Sequence, residues 1–286
     1  MSVATAAGER REVLVERIGL VARTPTAVVG GLVLLLWVAC ALFARQIAPH
    51  DPIAPDILHK LQAPSASHLF GTDSLGRDVL SRVIFGARGI LVVAPLATLL
   101  GTALGTTIGL VAGYAGGIVD EALMRLTDAF LALPAVVVAL LALTALGPST
   151  GAVIFVIGLV FAPIIARTVR AAVLTEARLE YVQAARLRQE AGAYVMFVEI
   201  LPNVLGPVLV EFTVRLGYAI FATATLSFLG FGIQPPAPDW GLSIFEQYAF
   251  LVGGTWWPVL FPALAIASLV VSVNLVADGV SQALER

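Results

Sequence analysis

Residues 89–113 read GILVVAPLATLLGTALGTTIGLVAG, a run of 25 residues without a charged side chain. The hydrocarbon core of a bilayer is about 30 Å thick, and a helix rises about 1.5 Å per residue, so about 20 apolar residues are needed to cross it. This run therefore predicts a membrane-spanning helix.

The rest of the chain has the same character. Of the 286 residues, 59% are hydrophobic and 13% are charged, whereas soluble domains have about 45–50% apolar and 25% charged residues. The sequence predicts an all-α integral membrane protein with about six transmembrane helices. Besides residues 89–113, the predicted spans are residues 26–44, 133–147, 150–172, 204–230 and 256–277. The third is short, and the fourth and fifth are long enough to tilt or to contain distorted turns.

The net charge of −2 comes from few charges in total, which argues against a nucleic-acid partner. The single cysteine, Cys40, excludes an intramolecular disulfide. The first span follows several arginines, as a signal peptide would, but its apolar run is longer than the usual 7–15 residues or so. We therefore expect a retained anchor.

The distribution of positive charge predicts the orientation, because positively charged loops stay cytoplasmic. With the N-terminus inside, the cytoplasmic side carries eleven positive residues and the other side five, so both termini are expected in the cytoplasm. The eleven are Arg10, Arg11, Arg17, Arg23, Arg125, Arg167, Arg170, Arg178, Arg186, Arg188 and Arg286, and the five are Arg45, Lys60, Arg77, Arg82 and Arg88.

The second span carries a row of glycines at every fourth position, which lies along one face of a helix: Gly101, Gly105, Gly109 and Gly113. Such a row lets another helix backbone approach closely in a membrane. We expect it to be a helix-packing surface, against a helix of this chain or of another.

The sequence gives little support for a catalytic function. The sequence has no Gly-x-x-x-x-Gly-Lys-Ser/Thr phosphate loop, so ATP hydrolysis is not expected here. Gly147-Pro148-Ser149-Thr150-Gly151 fits the letters of a nucleophile elbow, but that motif needs a strand before it and a helix after it. Because it joins two apolar helices here, a helix-joining turn is favoured over an intramembrane hydrolase.

All three histidines, His50, His59 and His68, lie in the first connection, residues 45–88, together with Asp51 and Asp56. These side chains can in principle ligate a divalent metal. Their spacing matches no compact ligand pattern, and four prolines indicate an extended loop, so solvated loop histidines are favoured.

The connection at residues 175–203, TEARLEYVQAARLRQEAGAYVMFVEILPN, begins as a charged helix. Ala184 and Ala185 form a spot of small side chains, flanked by Tyr181, Arg186 and Arg188. Small residues permit close seating in another protein's groove, and aromatic and arginine side chains are typical anchors at its edge.

This segment resembles the Glu-Ala-Ala coupling loop of bacterial ABC importer permeases. The positions that match are Tyr181, Ala184, Ala185, Arg186, Leu201, Pro202 and Asn203. Gln183 replaces the glutamate, and Gln189 stands where the family has glycine, with Gly192 three residues later. Together with Glu180 and Arg188, these residues make up the predicted ATPase-coupling helix and its flank.

Two further stretches resemble the peptide/nickel branch of that family, the C-type permease of dipeptide and oligopeptide importers. They are HLFGTDSLGRDVLSRVIFGAR at residues 68–88 and LSFLGFGIQPPAPDWG at residues 226–241. The ending, with Trp257, Pro258, Asn274, Asp278 and Gly279, is also similar. The resemblance implies a type I ABC importer permease-like bundle, with residues 1–86 as an N-terminal segment, first span and outer loop, and residues 87–286 as the permease domain.

The resemblance also implies partners: a homologous second permease, two cytoplasmic ATPases that bind ATP and magnesium, and an extracytoplasmic solute-binding protein. This chain would hold no cofactor or metal and would sit among the lipids of a bacterial inner membrane. The alternative is a secondary transporter driven by an ion gradient, which predicts inverted repeats and interrupted helices.

Two charge pairs are spaced to meet on a helix. Asp78 and Arg82 lie four residues apart, which predicts a short amphipathic helix at the outer interface that either receives a binding protein or braces the second span. Glu211 and Arg215 have the same spacing inside the fifth span, where an arginine needs a partner or a water-filled cavity. The pair either holds the structure or lines the translocation path, for which Asn274 is a further candidate.

Overall fold

The computed structural model describes residues 24–284, and this part of the chain is helical with irregular connections. Arg10, Arg11, Arg17, Arg23 and Arg286, which contribute to the predicted orientation, lie outside the described residues. The main helices are α1 (Pro25–Leu42), α2 (Val79–Ala115), α3 (Gly117–Leu131), α4 (Ala135–Leu146), α5 (Thr150–Glu176), α6 (Glu180–Leu187), α7 (Leu201–Phe228), α8 (Trp240–Gln247) and α9 (Trp257–Leu284). Shorter helical turns cover Ala44–Ile47, Ile57–His59, Gly192–Tyr194, Val195–Ile200 and Tyr248–Gly253.

Five helical stretches in the described part are long and apolar enough to cross a membrane: Pro25–Leu42, Val79–Ala115, Thr150–Glu176, Gly192–Phe228 and Trp257–Gly279. The count reaches six if α3 and α4, which meet at an angle of 89°, form one broken span. The prediction of a single third span at residues 133–147 is therefore corrected. The 12 residues of α4 extend about 18 Å, which is too short to cross the bilayer alone.

The break between α3 and α4 has a local cause. Pro134 precedes the first residue of α4 and has an extended ψ of 125°. Proline also has no backbone N–H to donate the hydrogen bond that would continue a helix. Charge fixes α3 in place, because Asp120 pairs with Arg170 of α5 and Asp128 pairs with Arg167. The charged helix α3 thus lies against the end of α5.

The pairing of α2 with α5 forms the centre of the bundle. A Cβ atom added at Gly105 would lie 2.7 Å from the carbonyl oxygen of Ala162, and one added at Gly109 would lie 2.7 Å from that of Ala166. Gly101 and Gly113 approach Gly158 and Val173 of the same helix. The helix that packs against the glycine row is therefore α5 of this chain.

Helix α1 belongs to the same bundle. It packs along α9, where an added Cβ at Gly30 would lie 2.7 Å from the carbonyl oxygen of Ser272. The indole of Trp37 donates a hydrogen bond of 3.0 Å to the hydroxyl of Ser268. The first span thus contributes a packed helix of the bundle, consistent with the expected anchor.

Helix α2 begins ten residues before the predicted span. Asp78 caps it, since its Oδ2 accepts hydrogen bonds from the backbone N (2.8 Å) and the Oγ (2.7 Å) of Ser81. The predicted short amphipathic helix is therefore the first turns of α2. The predicted Asp78–Arg82 pair is wrong, because the Arg82 guanidinium instead lies near Asp73 (3.7 Å) and Glu246 (3.8 Å).

The fifth span also begins earlier than predicted. A π-helical turn at Val195–Ile200 runs directly into α7, whose second residue is Pro202. Proline has no backbone N–H for the carbonyl four residues earlier, and wider turns accommodate such gaps. The span therefore extends from Gly192 to Phe228 with a distorted first part.

Candidate functional site

The predicted charged helix of the 175–203 connection is α6, Glu180–Leu187. Glu180 lies in its first turn and Arg186 in its last, which is the arrangement that the helix dipole favours. Val182 and Ala185 are fully buried and fix one side of α6 to the bundle. The opposite side is turned away from this contact.

Tyr181 connects α6 to the ends of two spanning helices. Its hydroxyl donates a hydrogen bond to Glu176 Oε2 of α5 (2.8 Å) and accepts one from Asn203 Nδ2 of α7 (3.1 Å). Burial, together with the hydrogen bond to Glu176, raises the pKa of Tyr181 to about 12. The phenol is therefore protonated at neutral pH and keeps its donor.

Two more side chains complete the attachment. Gln183 Nε2 donates to the carbonyl oxygen of Ala177 (2.9 Å), which follows α5. Arg186 donates to the carbonyl oxygen of Tyr114 at the end of α2 (3.2 Å), and its guanidinium lies 4.6 Å from the centre of the Tyr114 ring. Helix α6 is thus tied to α2, α5 and α7.

The prediction that Ala185 forms part of a partner-binding spot is wrong. Ala185 is completely buried within this chain, on the side of α6 that also buries Val182. Sequence reasoning missed Leu187, whose side chain is 85% exposed. We define the exposed face of α6 as Glu180, Gln183 and Leu187 with the half-buried Ala184 between them; these residues lie opposite Val182 and Ala185 on the helix.

The turn after α6 explains the departure from the family pattern. Gln189 has a φ of +57°, the left-handed conformation that glycine usually supplies after a helix. The N–H of Glu190 donates back to the carbonyl oxygen of Ala185 (3.2 Å), as expected for this helix ending. Gln189 therefore adopts the bend for which the family has glycine.

The other predicted residues of the coupling segment lie outside α6. Arg188 is its C-terminal cap, and its Nε donates to Glu190 Oε1 at 2.7 Å. Gly192 begins the following helical turn near the Tyr114 ring. Leu201 and Pro202 are the first residues of α7. The predicted set thus divides into α6, its turn and the start of the fifth span.

Within the bundle, Glu211 and Arg215 form the predicted ion pair, with Arg215 Nε 2.9 Å from Glu211 Oε2. Thr168 of α5 donates a hydrogen bond of 2.9 Å to Glu211 Oε1. The Arg215 guanidinium also lies 5.3 Å from the centre of the Tyr218 ring. The charges are compensated within α7, and a single hydrogen bond from a hydroxyl to the carboxylate connects them to α5.

Tyr218 lines an apolar cavity of about 180 Å³ between α4, α5 and α7, whereas Glu211 and Arg215 do not line it. Asn274 is not part of this group. It is exposed on α9 and faces Gly217, where an added Cβ would lie 2.6 Å from Asn274 Oδ1. Gly217 is six residues after Glu211, about 240° around the helix, so Asn274 lies on the other side of α7.

The Ser149 hydroxyl, the candidate nucleophile, caps α5. It accepts a hydrogen bond of 3.1 Å from the backbone N–H of Ala152. This is the common role of serine before a helix, in agreement with the favoured helix-joining turn.

The opposite end of α2 carries a second compact region, which we call the cap: residues 48–78 together with residues 234–256. Arg77 lies at its centre, 2.6 Å from Asp73 and 2.8 Å from Glu246. The indole of Trp240 donates to the carbonyl oxygen of Val83 at 2.8 Å. The two sequence stretches that carried the resemblance to the peptide branch therefore pack against each other.

The fold and this segment define a multi-pass helical membrane protein with a short helix tied to three of its spans. A family model described as "Binding-protein-dependent transport system inner membrane component" matches residues 105–286. A second, the "N-terminal TM domain of oligopeptide transport permease C", matches residues 22–64.

Curated relatives agree. The chain is 41% identical to the dipeptide transport system permease protein DppC of Escherichia coli (strain K12), over 92% of this chain and 89% of the relative. It is 38% identical to the di/tripeptide transport system permease protein DppC of Pseudomonas aeruginosa (strain UCBPP-PA14), over 90% and 86%. A putative peptide transport system permease protein of Brucella suis is also 38% identical, over 90% and 86%.

The chain belongs to the family of binding-protein-dependent transport system inner membrane components. It is a multi-pass inner-membrane permease of an ABC transport system with the type I importer fold, which confirms the predicted class. The boundary predicted at residue 86 stays a prediction, as do the functional roles of the site residues other than Ala185.

Proposed function

We propose that this chain forms half of the translocation pathway of an importer for dipeptides or oligopeptides. It pairs with a homologous second permease, is driven by two cytoplasmic ATPases, and receives its cargo from an extracytoplasmic binding protein. The relatives named for dipeptide and di/tripeptide transport support the choice of cargo. The chain itself binds no ATP, magnesium or nucleic acid, and catalysis belongs to the ATPases.

The attachment of α6 to three spans carries this proposal. A push on the exposed face of α6 is transmitted to α5 through Glu176, to α7 through Asn203 and to α2 through Tyr114. ATP-driven closure of the ATPases then moves these helix ends together. The bundle switches between inward-open and outward-open states as a rigid-body change, which is a common form of such transitions.

This proposal places α6 and both termini in the cytoplasm. The positive residues Arg167, Arg170 and Arg178 lie at the α6 end of the bundle, as the positive-inside rule requires. The cap lies at the other end of α2, about 55 Å away along its 37 residues. Large apolar side chains exposed on α1, among them Leu32, Leu35 and Leu36, face lipid or a partner helix.

The Glu211–Arg215 pair is our candidate for contact with cargo. A peptide carries an ammonium and a carboxylate group, and an ion pair offers a partner for each. Tyr218, which contacts Arg215, also lines the apolar cavity between α4, α5 and α7. Asn274, on the other side of α7, is the weaker candidate because it is remote from this pair.

The test compares the wild-type chain with Leu187→Asp, purified by an affinity tag from its native membrane under mild solubilisation. We expect a P-loop ATPase and a second permease to copurify with the wild type, identified by mass spectrometry, and only the ATPase to be lost from the variant. Val252→Asp is the matched control, since Val252 is 97% exposed on the cap side. It should retain both partners.

The gradient-driven alternative predicts the opposite. If the chain purifies alone and moves peptide into proteoliposomes without ATP, the importer proposal fails. If Leu187→Asp and Val252→Asp lose the ATPase equally, the assignment of the exposed face of α6 is wrong.

A further inference from the structure

Three side chains from separate parts of the cap region converge at the start of α2. His50 follows the first span, His68 lies in the middle of the connection, and Asp78 caps α2. Asp78 Oδ1 is 2.9 Å from His68 Nδ1 and 3.7 Å from His50 Nδ1, and one ligand atom from each residue lies within 4.8 Å of the others. The expectation of solvated loop histidines is therefore wrong for His68, whereas His50 is exposed, as expected.

The carboxylate is held in position from behind. Asp78 Oδ2 accepts both hydrogen bonds from Ser81, which leaves Oδ1 directed at the two imidazoles. The Ser81 hydroxyl also accepts from the backbone N–H of His50 at 3.1 Å, so the same serine orients two of the three groups. Hydrogen bonds of this kind, which fix the orientation of ligands, are typical of metal sites.

The site is closed on one side and open on the other. The side chain of Asp78 is 1% exposed, that of His68 17% and that of His50 43%. The two imidazole rings are tilted by 32° relative to each other, with their centres 4.7 Å apart. An ion can therefore enter from the His50 side and reach a buried carboxylate.

A hydrogen bond from His68 to Asp78 explains why one imidazole lies at this carboxylate. It does not explain why the imidazole of His50 lies there as well. His59 of the same connection shows the simple arrangement, since it pairs with exposed Asp56 at 2.7 Å, away from this cluster. Zinc bonds to nitrogen and oxygen of about 2.0–2.2 Å place tetrahedral ligands about 3.3 Å apart. The two distances from Asp78 Oδ1 lie on either side of that value.

We propose that His50, His68 and Asp78 bind a divalent transition-metal ion of the zinc class, with water as a fourth ligand. Two imidazoles and one carboxylate suit zinc and its neighbours, whereas magnesium and calcium prefer oxygen ligands. The bound ion connects the cap to the first turn of α2 and stabilises it by mass action.

The test uses the full-length chain with a tag that contains no histidine, stripped of metal with a chelator and titrated with micromolar Zn²⁺. Stoichiometry is measured by elemental mass spectrometry after gel filtration. We expect one Zn²⁺ per chain in the wild type and in the control His59→Asn. Excess Mg²⁺ should not displace this Zn²⁺. His50→Asn and His68→Asn should bind zinc roughly tenfold or more weakly.

A second measurement does not depend on the folding of His50→Asn or His68→Asn. Co²⁺ added to the wild type and to His59→Asn should produce the visible absorption of a tetrahedral site, and Zn²⁺ should remove it. The proposal is overturned if wild-type protein binds no more zinc than His50→Asn, or if no such absorption appears. The cluster is then a hydrogen-bonded brace between the connection and α2.

Discussion

The cap and the α6 segment lie at opposite ends of α2 and use polar side chains in different ways. In the cap, Arg77 and Asp73 are 6% and 3% exposed, and their charges are satisfied within the chain. In α6, Glu180, Gln183 and Leu187 are exposed, and Leu187 is an apolar side chain on a connecting segment. The buried charges of the cap are paired within the chain, whereas α6 has polar and apolar side chains exposed on its surface.

Contacts in the cap hold the fold, whereas the exposed face of α6 remains available to a partner. Removing one partner of a buried ion pair leaves an uncompensated charge, which is far more costly than losing an exposed contact. Substitutions in the cap should therefore act on stability, and substitutions on the exposed face of α6 should act on partner binding.

The largest effect is expected for Arg77→Ala. It leaves the buried Asp73 carboxylate without its closest positive partner, so we expect the free energy of unfolding to fall by about 3–5 kcal/mol. Denaturant unfolding of the purified protein in detergent measures this loss. Arg125→Ala is the control, because the Arg125–Glu121 pair is exposed and should contribute little. Equal losses would show that the cap is not held by its buried charges.

The next effect concerns the helix pair that keeps the two regions at a fixed separation. In Gly105→Ala the new Cβ would lie 2.7 Å from both the Ala162 carbonyl oxygen and Ile165 Cβ. We expect a loss of about 1–3 kcal/mol from overpacking, although alanine is the better helix former.

The matched control is Gly151→Ala in α5, where an added Cβ meets no atom within 4 Å. It should leave the thermal unfolding temperature unchanged or raise it. If both alanine variants behave alike, the close approach of α2 to α5 does not limit stability.

A third substitution tests the link from α6 to the spans. Tyr181→Phe removes the hydrogen bonds to Glu176 and Asn203, and we expect a loss of about 1–2 kcal/mol in stability. ATP-driven peptide uptake should fall more than ATP hydrolysis, since the connection is weakened while the exposed face is intact. Tyr248→Phe, on the cap side, is the control and should leave that ratio unchanged.

The same phenol predicts a pH dependence. Its pKa in the folded protein, about 12, lies above the ordinary value of 10.0, so the neutral form is favoured by folding. This contribution to stability is fully present below pH 10 and is lost as the pH rises towards 12. Wild-type stability should therefore fall more steeply over this interval than that of Tyr181→Phe, whereas parallel curves would contradict the assignment.

The sequence predicted most of the spans and α6, because long apolar runs and a charged helix between them are local signals. The glycine row predicted a close helix contact, but which helix fills it depends on the fold. The cap could not be predicted, because its central pair joins Arg77 to Glu246, 169 positions apart. Asp78, the predicted partner of Arg82, instead caps α2.

Within α6 the sequence identified the helix but not its orientation. Alternation of small and large side chains is compatible with burying either side, and the choice of Val182 and Ala185 depends on the helices beneath. The third span was misjudged for a similar reason. Its apolar run is local, but the bend before it depends on Pro134 and on arginines of α5.

The smallest effect has the opposite sign and concerns the turn after α6. Gln189→Gly should stabilise the protein by about 0.5–1 kcal/mol, because glycine adopts the left-handed conformation without the steric cost of a side chain. Gln183→Gly, inside α6, is the control and should lose about 1 kcal/mol from helix propensity alone, before its hydrogen bond to Ala177 is counted. Thermal unfolding of both variants separates the two outcomes. A gain at Gln189 with unchanged peptide uptake would mean that the turn only ends α6. A gain in stability with reduced uptake would mean that α6 needs the stiffer turn that glutamine provides to transmit the push of the ATPase. A loss at Gln189 equal to that at Gln183 would show that the left-handed turn is not formed in the folded protein.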